Sequence, residues 1–136
     1  MSAKVIWEPS GVICKCAGVV TRQHLMKAAF NAFYEDERNT QVSYQIFDAF
    51  DADDLKLNQS DILLLASTAI GRSRQVPNIK AAIIAPNPKV RKVVEQYVAY
   101  FERVSHTWTF LYFDVRQPAY DWARLNARAP IRDHTV

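Results

Sequence analysis

Residues 79–101 read IKAAIIAPNPKVRKVVEQYVAYF and hold a complete strand-to-helix unit. Ile79–Ala85 is an apolar run broken only by Lys80, the length and pattern of a strand covered on both faces. Asn87 follows as an N-cap, and Pro88 takes the first helical position, where its missing N–H costs nothing. Val90, Val93, Val94, Tyr97, Val98 and Phe101 then recur at helical spacing and mark an inward face.

The same alternation extends in both directions. Upstream, a helix is predicted over about Ser60–Arg74 and ends before Pro77. Asn58 and Asp61 stand three apart before it, the spacing of a capping box. The run Asp51-Ala52-Asp53-Asp54 reads as an acidic loop, and Val42–Phe50 as the strand before it. Leu25, Ala28, Ala29, Ala32 and Phe33 form one face of a first helix capped by Thr21. His24 occupies the position where a capping box would carry Glu or Gln, so the reciprocal bond is expected to be missing. Residues 35–39 are expected to end this helix in solvent. At the start of the chain, Lys4–Glu8 and Val12–Val20 flank the turn signal Pro9-Ser10-Gly11 and read as an antiparallel hairpin. Downstream, Thr107–Val115 is the last strand and Pro118–Asn126 a final helix carrying Trp122 and Leu125. The predicted order is ββαβαβαβα: one α/β domain over residues 1–126, with a mixed, mostly parallel five-stranded sheet covered by helices. Residues 127–136 lack periodicity and are expected to form a flexible tail.

Composition narrows the function classes. The 136 residues suit one domain large enough to fold without a disulfide or metal. With three glycines, a glycine-rich phosphate loop is close to excluded. The net charge of +3 is spread through the chain and lacks the basic stripe of a nucleic-acid binder. Arg116, Arg124, Arg128 and Arg132 make the C-terminal segment mildly basic. No stretch approaches the ~20 apolar residues of a membrane span, and the first residues do not resemble a signal-peptide core. Cys14 and Cys16, two apart on a strand, read as reduced thiols, which places the chain in the cytoplasm.

No catalytic constellation emerges, and no cofactor is implied. His24, His106 and His134 are scattered, and Cys14, Cys16 and His24 lack zinc-site spacing. A calcium loop starting at Asp51 would need Gly and Glu where Lys56 and Ile62 stand. The aromatic C-terminal half is the remaining signal. Tyr97, Phe101, Trp108, Phe110 and Tyr112 suit core packing, or an apolar pocket for a lipid-like ligand between the last helices and the sheet.

The ordered set Trp7-Glu8-Pro9-Ser10-Gly11-Val12, Gly18 before Val20-Thr21, Tyr44-Gln45-Ile46-Phe47-Asp48, Leu55 to Leu65 with Ser60-Asp61-Ile62, Lys80 to Ala85, and Ala119 with Trp122 resembles the STAS domain family. The likeness is to the stand-alone bacterial members related to the sporulation anti-sigma-factor antagonist, and it spans about residues 4–126. It implies a non-enzymatic signalling module that binds a protein partner through the region between the third strand and the second helix. In the signalling members an Asp-Ser-Ser/Thr-Gly motif opens that helix, and its serine is phosphorylated. Here Asp48 matches the family's strand-end aspartate, and the helix opens Asn58-Gln59-Ser60-Asp61, without the paired hydroxyls or the glycine. Ser60 matches the phosphorylated position, and its residue-level reading is a helix cap. Asp48, Asn58, Ser60 and Asp61 are the partner-binding candidates. A small apolar ligand held by the aromatic half is the alternative. A homodimer is plausible, since two-fold dimers are the commonest oligomers.

Overall fold

The computed structural model describes residues 2–30, 32 and 37–127, without the side chains of Ser2 and Phe30. Phe33, Glu35 and Asp36 lie outside the described residues. So does the expected tail beyond Ala127, with Arg128, Arg132 and His134.

The strands are β1 (Ser2–Trp7), β2 (Gly11–Thr21), β3 (Tyr44–Lys56), β4 (Lys80–Ile84) and β5 (Thr109–Phe113). The helices are α1 (Arg22–Phe30), α2 (Gln59–Ser73), α3 (Pro88–Phe101) and α4 (Arg116–Arg124), with a 3₁₀ turn at Glu37–Thr40. The sheet order is β1-β2-β3-β4-β5; β1 runs antiparallel to β2, and the other pairs are parallel. This is a single α/β sheet in the predicted element order.

Because each parallel strand is added on the same side of the last, right-handed crossovers place their three connecting helices on one face. The packing agrees. Ala49 and Ile83 cluster with Leu25 of α1 and Val90, Val94 and Val98 of α3, while Ala69 of α2 joins Val12, Phe101 and Trp108. The opposite face presents Ile13, Tyr44, Ile46, Ala82 and Ile84 to Ala119 and Ala123 of α4. Period-2 alternation thus sends Phe47 toward α1–α3 and Tyr44, Ile46 and Asp48 toward α4.

Four sequence expectations are corrected. Asp51–Asp54 is not a loop: β3 continues to Lys56, pairing with β2 from Ala17↔Asp51 to Thr21↔Lys56. At two register shifts against β2, β3 carries one extra residue each time; the second lies opposite Gly18 and Val19, and the Gly18 φ of 68° suits a residue without Cβ. Ala52 and Leu55 are buried while Asp51 and Asp53 face solvent, so the acidic residues occupy the outer positions of a strand. Asp48 is accordingly mid-strand rather than at a strand end.

His24 supplies the bond expected to be missing. Its backbone N–H donates to Thr21 Oγ1 (3.4 Å), and its Nδ1 accepts from the Thr21 N–H (3.2 Å), so an unprotonated imidazole nitrogen does the work of a carboxylate. Asn39, expected in solvent, is buried at the 3₁₀ turn, where its carbonyl accepts from Arg72 Nη2 (3.4 Å). The last helix begins at Arg116, two residues before Pro118. Proline is tolerated there because first-turn N–H groups have no intrahelical acceptor. Elsewhere the helix signals hold: Asn58 and Asp61 exchange both bonds of a capping box, and Asn87 caps α3 with Pro88 next.

Candidate functional site

The helical face of the sheet is incompletely filled. A cavity of about 150 Å³ lies between it and α1–α3. Its floor includes Cys14, Gln45, Phe47, Ile83 and Phe110. Leu25, Ala28 and Ala29 of α1, Ile62, Leu65 and Thr68 of α2, and Val93, Val94 and Tyr97 of α3 form the walls. The space arises from what each helix packs against. Helix α2 rests mainly on α3, while α1 rests on β1 and β2, so the room between α1 and α2 is spanned by short side chains. Alanines on α1 and at Ala81 of β4 cannot fill it. A void of this size lined by apolar groups in another protein stays dry and takes up benzene or xenon.

The few polar groups of the wall are unevenly placed. Gln45, at the start of β3, accepts from Arg72 Nη1 (2.7 Å) on its Oε1. Arg72 is 5% exposed, one turn beyond Thr68 on α2, and its guanidinium lies over the Trp108 ring at 5.3 Å. Burial pulls the Arg72 pKa down to about 10, which leaves it charged at neutral pH. Burial pushes the Tyr97 hydroxyl up to about 12, against the nearby positive charge of Arg72. The Thr68 hydroxyl is already donated to the Leu64 carbonyl (3.0 Å). Toward the other ends of the strands the wall is Phe47, Leu55, Leu57 and Ile62, without a charged side chain.

The five aromatic candidates separate. Tyr97 and Phe110 line the cavity. Phe101 is fully buried and stacks on Trp108 with ring centroids 5.2 Å apart. Trp108 donates Nε1–H to the Val76 carbonyl (2.7 Å), which satisfies its polar edge inside the core. Tyr112 lies under the Arg91 guanidinium (4.4 Å).

The four partner-binding candidates also separate. Asp48 is fully buried on the α4 side. Its Oδ2 accepts from Arg116 Nε (2.8 Å) and the Tyr120 hydroxyl (2.8 Å), and its Oδ1 from the Phe50 N–H (3.2 Å). Arg116 reaches on to Asp51 (2.7 Å); the bonds to Asp51 and then Asp48 raise its pKa. Asn58, Ser60 and Asp61 sit together at the α2 opening, with Asp61 also paired to Arg22 (3.0 Å). Ser60 is exposed and Asn58, not Ser60, is the cap.

A second carboxylate repeats the Asp48 arrangement. Glu8 accepts from the Tyr44 hydroxyl (2.6 Å) and is paired with Arg124. Burial alone would raise the Glu8 pKa, but the bonds from Arg124 and Tyr44 and the Arg124 charge together lower it. Lys80 Nζ donates to the carbonyls of Trp122 (3.0 Å) and Leu125 (2.8 Å), closing the C-terminal end of α4. Arg116 and Arg124, read from sequence as basic surface, are therefore spent in holding α4 to the sheet.

Among the described residues, no group of three or more His, Cys, Asp and Glu side chains is placed to hold a metal ion. None of their helices is long and apolar enough to cross a membrane. Compared with family models, curated proteins and solved structures, the chain finds no match.

Proposed function

We propose that this protein is a non-enzymatic binding module whose ligand is a small, largely apolar molecule held between α1–α3 and the sheet. The observation that carries the reading is the cavity of about 150 Å³ with an almost wholly apolar wall. A well-packed core leaves few voids larger than a water molecule, so a space of this size is an unspent hydrophobic site. The reading keeps the chain in the cytoplasm with reduced Cys14 and Cys16, and it needs no cofactor. Native mass spectrometry of gently purified protein tests it. A small adduct lost on denaturation is expected; a bare chain purified from its own cytosol argues against it.

A second reading follows the resemblance to anti-sigma-factor antagonists: contact with a protein partner at the α2 opening. One observation favours it. Leu63 and Leu64 stand 47% and 49% exposed within a turn of Ser60, where apolar surface and a modifiable hydroxyl coincide. In this reading Asn58, Ser60 and Asp61 form the surface, and Asp48 acts from behind through Arg116. A Leu63→Lys/Leu64→Lys variant that retains every co-purifying protein rules it out.

A further inference from the structure

We infer that the cavity takes a neutral ligand with a carbonyl-type oxygen, which Tyr97 binds through its hydroxyl proton while the apolar remainder lies toward Phe47 and Leu55. This rests on the apolar-ligand reading and adds the ligand's polarity and the residue that reads it.

The Tyr97 hydroxyl is the polar group left over in the wall. Its ring packs against both core clusters on the helical side of the sheet. Among the described residues the hydroxyl has no hydrogen-bond partner. Tyr44 and Tyr120, on the α4 side, each donate theirs to a carboxylate, Glu8 and Asp48. A buried hydroxyl without a partner is uncommon and costly. One in a cavity wall can be satisfied by whatever fills the cavity. Burial keeps this hydroxyl protonated at neutral pH, so it is presented as a donor. The other polar wall groups agree with an acceptor ligand. Thr68 has already donated to the Leu64 carbonyl, and Cys14 is bonded to Cys16. Gln45 has its oxygen occupied by Arg72 and has N–H groups left to give. Among the described residues no charged side chain lines the cavity, so an ionised ligand would strand its charge in hydrocarbon. The ligand is therefore neutral, and Arg72 enters only as the group that occupies the Gln45 oxygen.

The test is calorimetric titration of the full-length protein with acetophenone and with α-methylstyrene, probes of the same shape that differ in C=O against C=CH2. Water hydrates the ketone more strongly, so the ratio of the two affinities is compared between wild type and Tyr97→Phe, where hydration cancels. Tyr97→Phe is expected to weaken acetophenone at least about fivefold, the scale of one neutral hydrogen bond, and to leave α-methylstyrene unchanged. The infrared spectrum of acetophenone bound to the wild-type protein is a second readout. Its carbonyl stretch is expected at lower wavenumber than in hexane, and a band at the hexane position overturns the inference. An affinity ratio that Tyr97→Phe leaves unchanged also overturns it, as does wild-type binding of α-methylstyrene alone; in each case the apolar cavity stands. Binding of neither probe overturns the apolar-ligand reading as well. Should Tyr97→Phe fail to fold, the infrared band of the wild-type complex decides the matter.

Discussion

Replacing Ala29 by Leu should make this protein more stable and less able to bind. Ala29 lies on α1 in the cavity wall and is half-buried. Leu is nearly as good a helix former as Ala, so the backbone loses little. At about 24 cal/mol per Å³, an empty cavity of about 150 Å³ costs up to roughly 3.6 kcal/mol. Leu adds three carbons at about 0.8 kcal/mol each when buried, an upper bound near 2.4 kcal/mol that packing strain reduces. A gain of about 1–2 kcal/mol is expected, or several degrees in Tm. Urea unfolding with m unchanged measures the gain, and titration with octanol measures the loss of binding. Opposite signs in the two assays are the signature of a filled ligand site. A loss of about 1–3 kcal/mol, the ordinary result of overpacking a full core, would show that the space is not there.

Further consequences follow from the α4 attachments. The folded state lowers the Glu8 pKa below its ordinary 4.5. The stability this gives is present above that value and is lost as pH falls through the folded one; thermal melts of Glu8→Gln between neutral and acid pH should lack that part of the decline. Arg116→Met leaves the buried Asp48 carboxylate with the Tyr120 and Phe50 donors alone and should cost about 2–4 kcal/mol by denaturant unfolding. Adding Asp48→Asn to that variant should recover part of the loss, and no recovery would place the cost in packing rather than charge. Gly71→Ala should stabilise by about 0.5–1 kcal/mol: the position is exposed within α2 and a Cβ there meets nothing within 4 Å.

What could be read from the sequence was local. The Ile79–Phe101 unit, the Asn58–Asp61 box and the Asn87-Pro88 start need only neighbours along the chain. The continuation of β3 through Asp51–Lys56 depended on irregular pairing with β2 some 35 residues away, and an acidic run gave no hint of it. Asp48 could be singled out, but its partners Arg116 and Tyr120 lie 68 and 72 residues further on, and nothing in their spacing announces them. Glu8 and Arg124, 116 residues apart, were missed as a pair for the same reason. The aromatic half suggested a pocket and did supply Tyr97 and Phe110. The cavity's other walls come from α1 and α2, which aromatic content did not indicate. A signal was present there: Ala28, Ala29 and Ala32 on one helical face, with Ala81 on a central strand, are many small residues for a core position. Gln45 and Arg72 were overlooked because a polar side chain on a strand and a basic one on a helix usually face solvent, and only the fold turns both inward.

Crystals soaked with iodobenzene would show most directly whether this protein has a ligand site, because anomalous scattering locates the iodine without interpretation of weak density. Iodine between Phe47, Leu65 and Ile83, with α1–α3 and the sheet otherwise unmoved, is the predicted result. Well-diffracting soaked crystals with those side chains in mutual contact and no iodine among them would contradict it.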